Sequence, residues 1–289
     1  MSYQALMAQL AIGVSNGAFY AMLSLGLAVI FGMLNVVNFA HGAVFMLGAF
    51  VALFLKLQLG LGYYASLILV PIIVGAFGVL ADLALLKRLR GLDPLYGLLL
   101  TFGMTLVLEG IFRYFYGSAG VPYSAPEGLV GAVDLGFMIM PLYRFWVIVA
   151  SAVVCFGTWY AIERTRLGAY LRAATENATL TQSFGINVPV LLTLTYGLGV
   201  ALAGFAGVLA APIYSVNPLM GSNLIIVVFA VVVIGGMGSI LGAIVSGFAL
   251  GILEGFTKVF YPEASNIVVF VVMAIVLLVK PAGLFGRAT

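Results

Sequence analysis

The sequence predicts an all-α membrane protein, a polytopic bundle of about eight transmembrane helices plus a broken or re-entrant segment. Three observations predict it. Of 289 residues, 64% are hydrophobic and only 7% charged, whereas a soluble domain carries about 25% charged residues. Charge is also absent in blocks: no Asp, Glu, Lys or Arg occurs from Met1 to Leu55, nor from Asn177 to Leu253. A helix needs about 20 apolar residues to cross the hydrocarbon core, so each block holds more than one crossing. Finally, 36 glycines suit helices packed closely in lipid. A lipid-facing β-barrel would show short alternating segments, which these continuous runs do not.

Charges and turn residues divide the chain into apolar spans at roughly 9–31, 38–55, 64–86, 95–116, 142–162, 189–213, 223–234, 238–256 and 265–280. Eight of these are long enough to cross. The piece 223–234 is too short at 1.5 Å per residue, and Gly235, Gly236 and Gly238 follow it. It reads as half of a broken element, which is tolerated at membrane depth only where protein or a cavity shields the backbone. The N-terminus lacks a basic n-region and its apolar stretch is too long for a signal peptide, so it reads as a retained first helix.

Basic residues set the expected orientation. Lys87, Arg88 and Arg90 share one loop; Arg164, Arg166 and Arg172 share another; Lys280 and Arg287 end the chain. The positive-inside rule puts all three on the cytoplasmic side, with the N-terminus outside and the C-terminus inside. Polar loop 117–141 then faces outside and loop 163–188 inside. The inner loop has helical character, with Leu167, Tyr170, Leu171 and Ala174 spaced for one apolar face. No composition shift marks a soluble domain, so residues 1–289 read as a single transmembrane domain. GAVFMLGA at 42–49 weakly echoes GSILGAI at 238–244, as two related halves would.

Several chemistries fall away. No GxxxxGK[ST] occurs, so any ATP work belongs to another chain. A single histidine excludes an HExxH zinc site. Ser246 lies in IVSG, which lacks the first glycine of a GxSG-type serine. Cys155 is alone, leaving no disulfide or CxxC site. The net charge of +3 comes from loop residues and marks no nucleic-acid surface.

Three segments carry candidate chemistry. In NVVNFAHGAVFMLGAF, residues 35–50, Asn35, Asn38 and His41 are polar groups beside an apolar run. Left bare in lipid they cost kilocalories, so they should face the protein interior, as interhelical hydrogen bonds or as the lining of a solute path. In VVIGGMGSILGAI, residues 232–244, Gly235, Gly236, Gly238 and Ser239 suit a broken helix or close helix packing. In 163–188, exposed Tyr170 and Leu171 would need a partner to cover them. Glu109 with Arg113, and Glu254 with Lys258, are i,i+4 pairs that stabilise a helix slightly. Asp82, one turn before Lys87 and Arg88, is assigned to the inner interface.

NFAHGAVFMLGAF, RLGAYLRAATENATLTQSFGIN and GGMGSILGAIVSGFALGILE, followed by the KPAGLFGR tail, resemble the LivH-type permeases of branched-chain amino acid ABC importers. The resemblance covers nearly the whole chain. It implies a second, LivM-like permease subunit, two cytoplasmic ATPase subunits that use ATP and magnesium, and a periplasmic binding protein. It implies no cofactor on this chain, no catalysis by it, and a multi-pass place in the bacterial inner membrane. It makes the 163–188 loop the coupling segment, around Arg166, Gly168, Tyr170, Leu171, Arg172, Glu176 and Gly185. Their polar or broken-helix character, and for Ala43 the family's acidic position, make Asn38, His41, Ala43, Gly235, Gly236, Gly238 and Ser239 the expected substrate path.

Three positions depart from the family's pattern. Ala43 replaces the acid of NFAHGE, Leu241 stands where a proline is expected, and Val188 where a threonine is. The loss at Ala43 removes a contact to a substrate ammonium group, so urea, short amides and aromatic acids stand beside branched-chain amino acids as cargo. With no buried acid on the path, the expected cargo is zwitterionic or neutral and cations are excluded. A secondary transporter would need a buried ionisable residue, and the uncharged runs offer none. An ion channel would need a charge ring or carbonyl filter, which GGMGS matches poorly.

Overall fold

The computed structural model describes residues 3–34 and 38–286; Asn35 and Arg287 lie outside them. The fold is all-α, as expected. Seven helices among the described residues are long and apolar enough to cross a membrane: α1 (Tyr3–Leu34), α2 (Ala40–Leu59), α3 (Tyr63–Ala84), α4 (Pro94–Tyr116), α5 (Leu142–Arg164), α8 (Val188–Ala210) and α10 (Ile240–Phe260). Between them lie α6 (Arg166–Glu176), α7 (Ala178–Ser183) and two short apolar helices, α9 (Ser222–Gly235) and α11 (Val268–Val279). The last differs from the span expected at 265–280. Pro262–Ala264 forms a 3-10 turn first, and α11 keeps only 12 residues, about 18 Å of rise.

Local chemistry sets the helix starts. Asp93 caps α4 by accepting from the Leu95 N–H at 2.9 Å, with Pro94 in the first turn. Asn187 caps α8 at Val190, and Ser239 caps α10 at Gly242. Gly60 ends α2 in the left-handed region at φ 63°.

The chain forms two compact units. One comprises Gly26–Tyr123 and Phe156–Ile225. Its core is α8 packed on α2 and α3. Glycines let the backbones approach: a Cβ at Gly48 of α2 would lie 2.6 Å from the Gly204 Cα of α8. One at Gly78 of α3 would lie 2.6 Å from Val200 Cγ1. At the other end of these helices Val121 pairs with Val216, and Lys56 lies 4.6 Å over the Tyr123 ring. Burial pushes the Tyr123 phenol above its usual range.

The other unit comprises the residues up to Leu25, Ser124–Cys155 and those from Ile226. Here α1 crosses α10 closely: a Cβ at Gly13 would lie 2.6 Å from the Gly251 carbonyl oxygen. The 117–141 loop contributes a small antiparallel hairpin, β1 (Ala132–Asp134) with β2 (Ile139–Pro141). The break expected after 234 is present. α9 stops at Gly235, Gly236 and Gly238 take positive φ (101° and 84°), and α10 begins at Ile240. The free carbonyls of Ile234 and Gly235 are taken up by the Leu284 and Phe285 N–H groups at 2.8 and 3.0 Å. The tail after α11 thus completes the ladder that the break interrupts.

Candidate solute cavity and docking loop

The first unit holds a partly open cavity of about 300 Å³ between the ends of α3, α4 and α8. Asp82, in the last turn of α3, is fully buried. The chain turns through Leu86–Leu89 and returns Arg90, whose Nη2 donates to both Asp82 carboxylate oxygens at 2.6 Å. The Thr193 hydroxyl of α8 donates to Asp82 Oδ2, also at 2.6 Å. Both charges are thereby paired and hydrogen-bonded, which is what makes burial of the Asp82 carboxylate tolerable.

On the opposite wall, Asn38 precedes α2 and is fully buried. Its Nδ2 donates to the Tyr196 hydroxyl at 3.2 Å, while its Oδ1 has no hydrogen-bond partner among the described residues. Beside it the Phe39 N–H donates to Thr101 Oγ1 at 3.2 Å. Leu86, Leu89, Leu92 and Leu192 supply the apolar lining. A cavity with a paired charge, a free acceptor and aliphatic walls can hold a small polar solute with an apolar tail.

The expected path residues separate on this frame. Asn38 lines the cavity. His41 is fully buried, with its imidazole over Gly26: a Cβ there would lie 2.9 Å from His41 Cε1. Ala43 is 1% exposed, and the neighbouring Gly42 packs on Gly221. Gly235, Gly236, Gly238 and Ser239 form the α9–α10 break in the other unit. The sequence reading did not name Arg90, Thr101, Thr193 or Tyr196 as site residues; Asp82, assigned there to the inner interface, lines the cavity from the last turn of α3. The path was expected to hold no buried acid, whereas the candidate cavity is lined by buried Asp82. Glu109 and Glu254 are buried as well. Each has a partner. Glu254 meets Lys258 at 2.5 Å, as expected, and accepts from the Tyr20 hydroxyl at 2.6 Å. Glu109 accepts from the Ser222 hydroxyl, in place of the expected Arg113 pair.

The 163–188 loop folds into α6 and α7. Gly168 sits so close to Ile162 at the end of α5 that a Cβ would collide with its carbonyl. Arg172 Nη1 donates to that same carbonyl at 3.1 Å and lies 3.5 Å from Glu163. Leu171, expected on the surface, is fully buried, because the apolar face of α6 turns inward. Arg166, Tyr170, Glu176 and Gly185 are exposed. The exposed apolar groups of the loop are Leu167, Tyr170, Leu180 and Phe184, the last 78% exposed.

Apolar helices long enough to cross a membrane, a small cavity walled by leucines and a buried ion pair, and a broken helix fit a multi-pass membrane permease component. The chain belongs to the branched-chain amino acid transport system permease component family, whose model matches residues 9–277. It is 33% identical to the high-affinity branched-chain amino acid transport system permease protein BraD of Pseudomonas aeruginosa, covering 96% of this chain and 95% of that one. It is 30% identical to the corresponding protein LivH of Salmonella typhimurium, over 95% and 94%. It is also 30% identical to a probable branched-chain amino acid transport permease protein LivH of Methanocaldococcus jannaschii, over 92% and 88%. No solved structure matches the chain.

Proposed function

We infer that this chain is one permease subunit of an ABC importer in the inner membrane and that its cargo is branched-chain-type amino acids. The observation that carries the reading is the family match from residue 9 to 277 of a 289-residue chain. In this reading a periplasmic protein delivers the solute, and a second, LivM-like permease completes the path. Two cytoplasmic ATPases hydrolyse magnesium-bound ATP, for which this chain has no P-loop. The α6–α7 loop is the docking element for an ATPase, with Tyr170 and Phe184 as its uncovered apolar groups. Basic residues near the α3–α4 turn, the docking loop and Lys280 support a cytoplasmic side for all three, with the N-terminus periplasmic. Liposomes holding all subunits test the cargo. ATP-dependent uptake of leucine and valine, but not of lysine, is expected; uptake of urea or short amides alone would reassign it.

A further inference from the structure

We propose that the Asn38–Arg90 cavity is a binding station, within this one subunit, for the zwitterionic head of an aliphatic amino acid. The proposal rests on the amino acid reading of the importer and goes further by giving the solute a site and a pose. Four features carry it. Asn38 Oδ1 is a fully buried acceptor with no partner among the described residues, on the wall of a cavity it lines. A buried acceptor left unmatched is costly, so a donor belongs there. Arg90 spends only Nη2 on Asp82; its Nε and Nη1 make no hydrogen bond among the described residues, and Arg90 also lines the cavity. A guanidinium carries five N–H donors in a fixed fork, and the unspent ones suit a carboxylate.

The third feature is the charge at the buried end. Asp82, fully buried, is neutralised by Arg90, while the Asp93 carboxylate lies at the exposed rim, where it caps α4. A ligand head with net charge would upset the balance of the buried pair, while a zwitterion adds an ammonium near Asn38 and Asp82 and a carboxylate near Arg90. The fourth is the lining. Leu86, Leu89 and Leu192 offer an aliphatic side chain the surface that urea or a short amide would leave unused. At about 300 Å³ the cavity sits at the small end of the roughly 300–1,000 Å³ range of small-molecule sites.

The test uses the full complex in lipid nanodiscs and photo-leucine, a diazirine analogue of leucine. After illumination, peptides are mapped by mass spectrometry. Label is expected on residues 82–101 or 188–196, competed by excess leucine and not by lysine or urea. Asn38→Ala removes the acceptor and Leu192→Trp fills the cavity from its apolar side. Asn38→Ala should cut that label by about tenfold, the worth of a hydrogen bond to a charged group, and Leu192→Trp should remove it by occupying the solute's volume, with each complex still eluting intact. Label found only elsewhere, or label indifferent to both variants or to leucine, overturns the proposal. Uptake measured on the same complex separates the two readings. Leucine uptake without cavity label sinks the site and keeps the cargo. Competed cavity label without leucine uptake keeps the site and sinks the cargo. Absence of both sinks both.

Discussion

Arg90 Nη2 lies 2.6 Å from each carboxylate oxygen of Asp82, an ion pair between the last turn of one membrane helix and the loop that leaves it. The pair closes the α3–α4 turn and walls the cavity at once. Removing one partner strands a buried charge at a cost of about 3–5 kcal/mol, whereas replacing both with apolar groups is close to neutral. Arg90→Leu and Asp82→Leu should each lower the thermal midpoint of the detergent-solubilised complex sharply. The double variant should recover most of the loss while transport stays impaired. A double variant as unstable as the sum of the singles would show that the two side chains do not act as a pair.

The docking loop separates a supporting residue from a surface one. Leu171 is fully buried under α6, and Phe184 is 78% exposed. Leu171→Ala removes packed volume and should cost about 2–5 kcal/mol, seen as a lower thermal midpoint and poor yield. Phe184→Ser should leave the midpoint unchanged and reduce co-purification of the ATPase subunits. Full ATPase recovery and full uptake with Phe184→Ser would take this residue out of the docking face.

Much of this frame is legible in the chain because its signals are local. Asp93-Pro94 and Asn187 mark helix starts within a residue or two, and the glycines after Ile234 mark the break. What was not legible depends on tertiary structure. The Asn38–Tyr196 bond joins residues 158 apart, and Thr193 reaches Asp82 across 111. Periodicity showed that α6 has an apolar face, but only the close approach of Gly168 to Ile162 decides that Leu171 is covered. A carboxylate near the end of an apolar helix, followed eight residues later by arginine, was the available clue to the Asp82–Arg90 pair.

Orientation is open to direct labelling. Thr175 and Ser183 are exposed on the docking loop, Ser124 is exposed in the 117–141 loop, and Cys155 is buried. Single cysteines at these serine and threonine positions, in a Cys155→Ala background, can be challenged with an impermeant maleimide in cells whose outer membrane is permeabilised. Ser124→Cys should react; Thr175→Cys and Ser183→Cys should react only after the inner membrane is opened. The reverse pattern would invert the topology.

Ala43 replaces an acidic residue of the family's pattern, and its surroundings predict what restoring the acid would do. It is 1% exposed, the adjoining Gly42 would place a Cβ 2.7 Å from the Gly221 carbonyl oxygen, and Gly221 also lies against the Ala43 backbone nitrogen. In the sequence, the missing acid reads as a lost contact to a substrate ammonium group. In this packing a glutamate has neither room nor a counter-charge, and burying an unpaired carboxylate costs several kilocalories per mole. Ala43→Glu should therefore fail to accumulate in the membrane, while Ala43→Ser, nearly the same size and able to bond back to its own helix, should accumulate and transport normally. Quantitative blotting of membranes with uptake measured per unit protein decides it. If Ala43→Glu accumulates to normal levels and takes up lysine, position 43 faces a watered path, and cargo charge is set there rather than at Asp82 and Arg90.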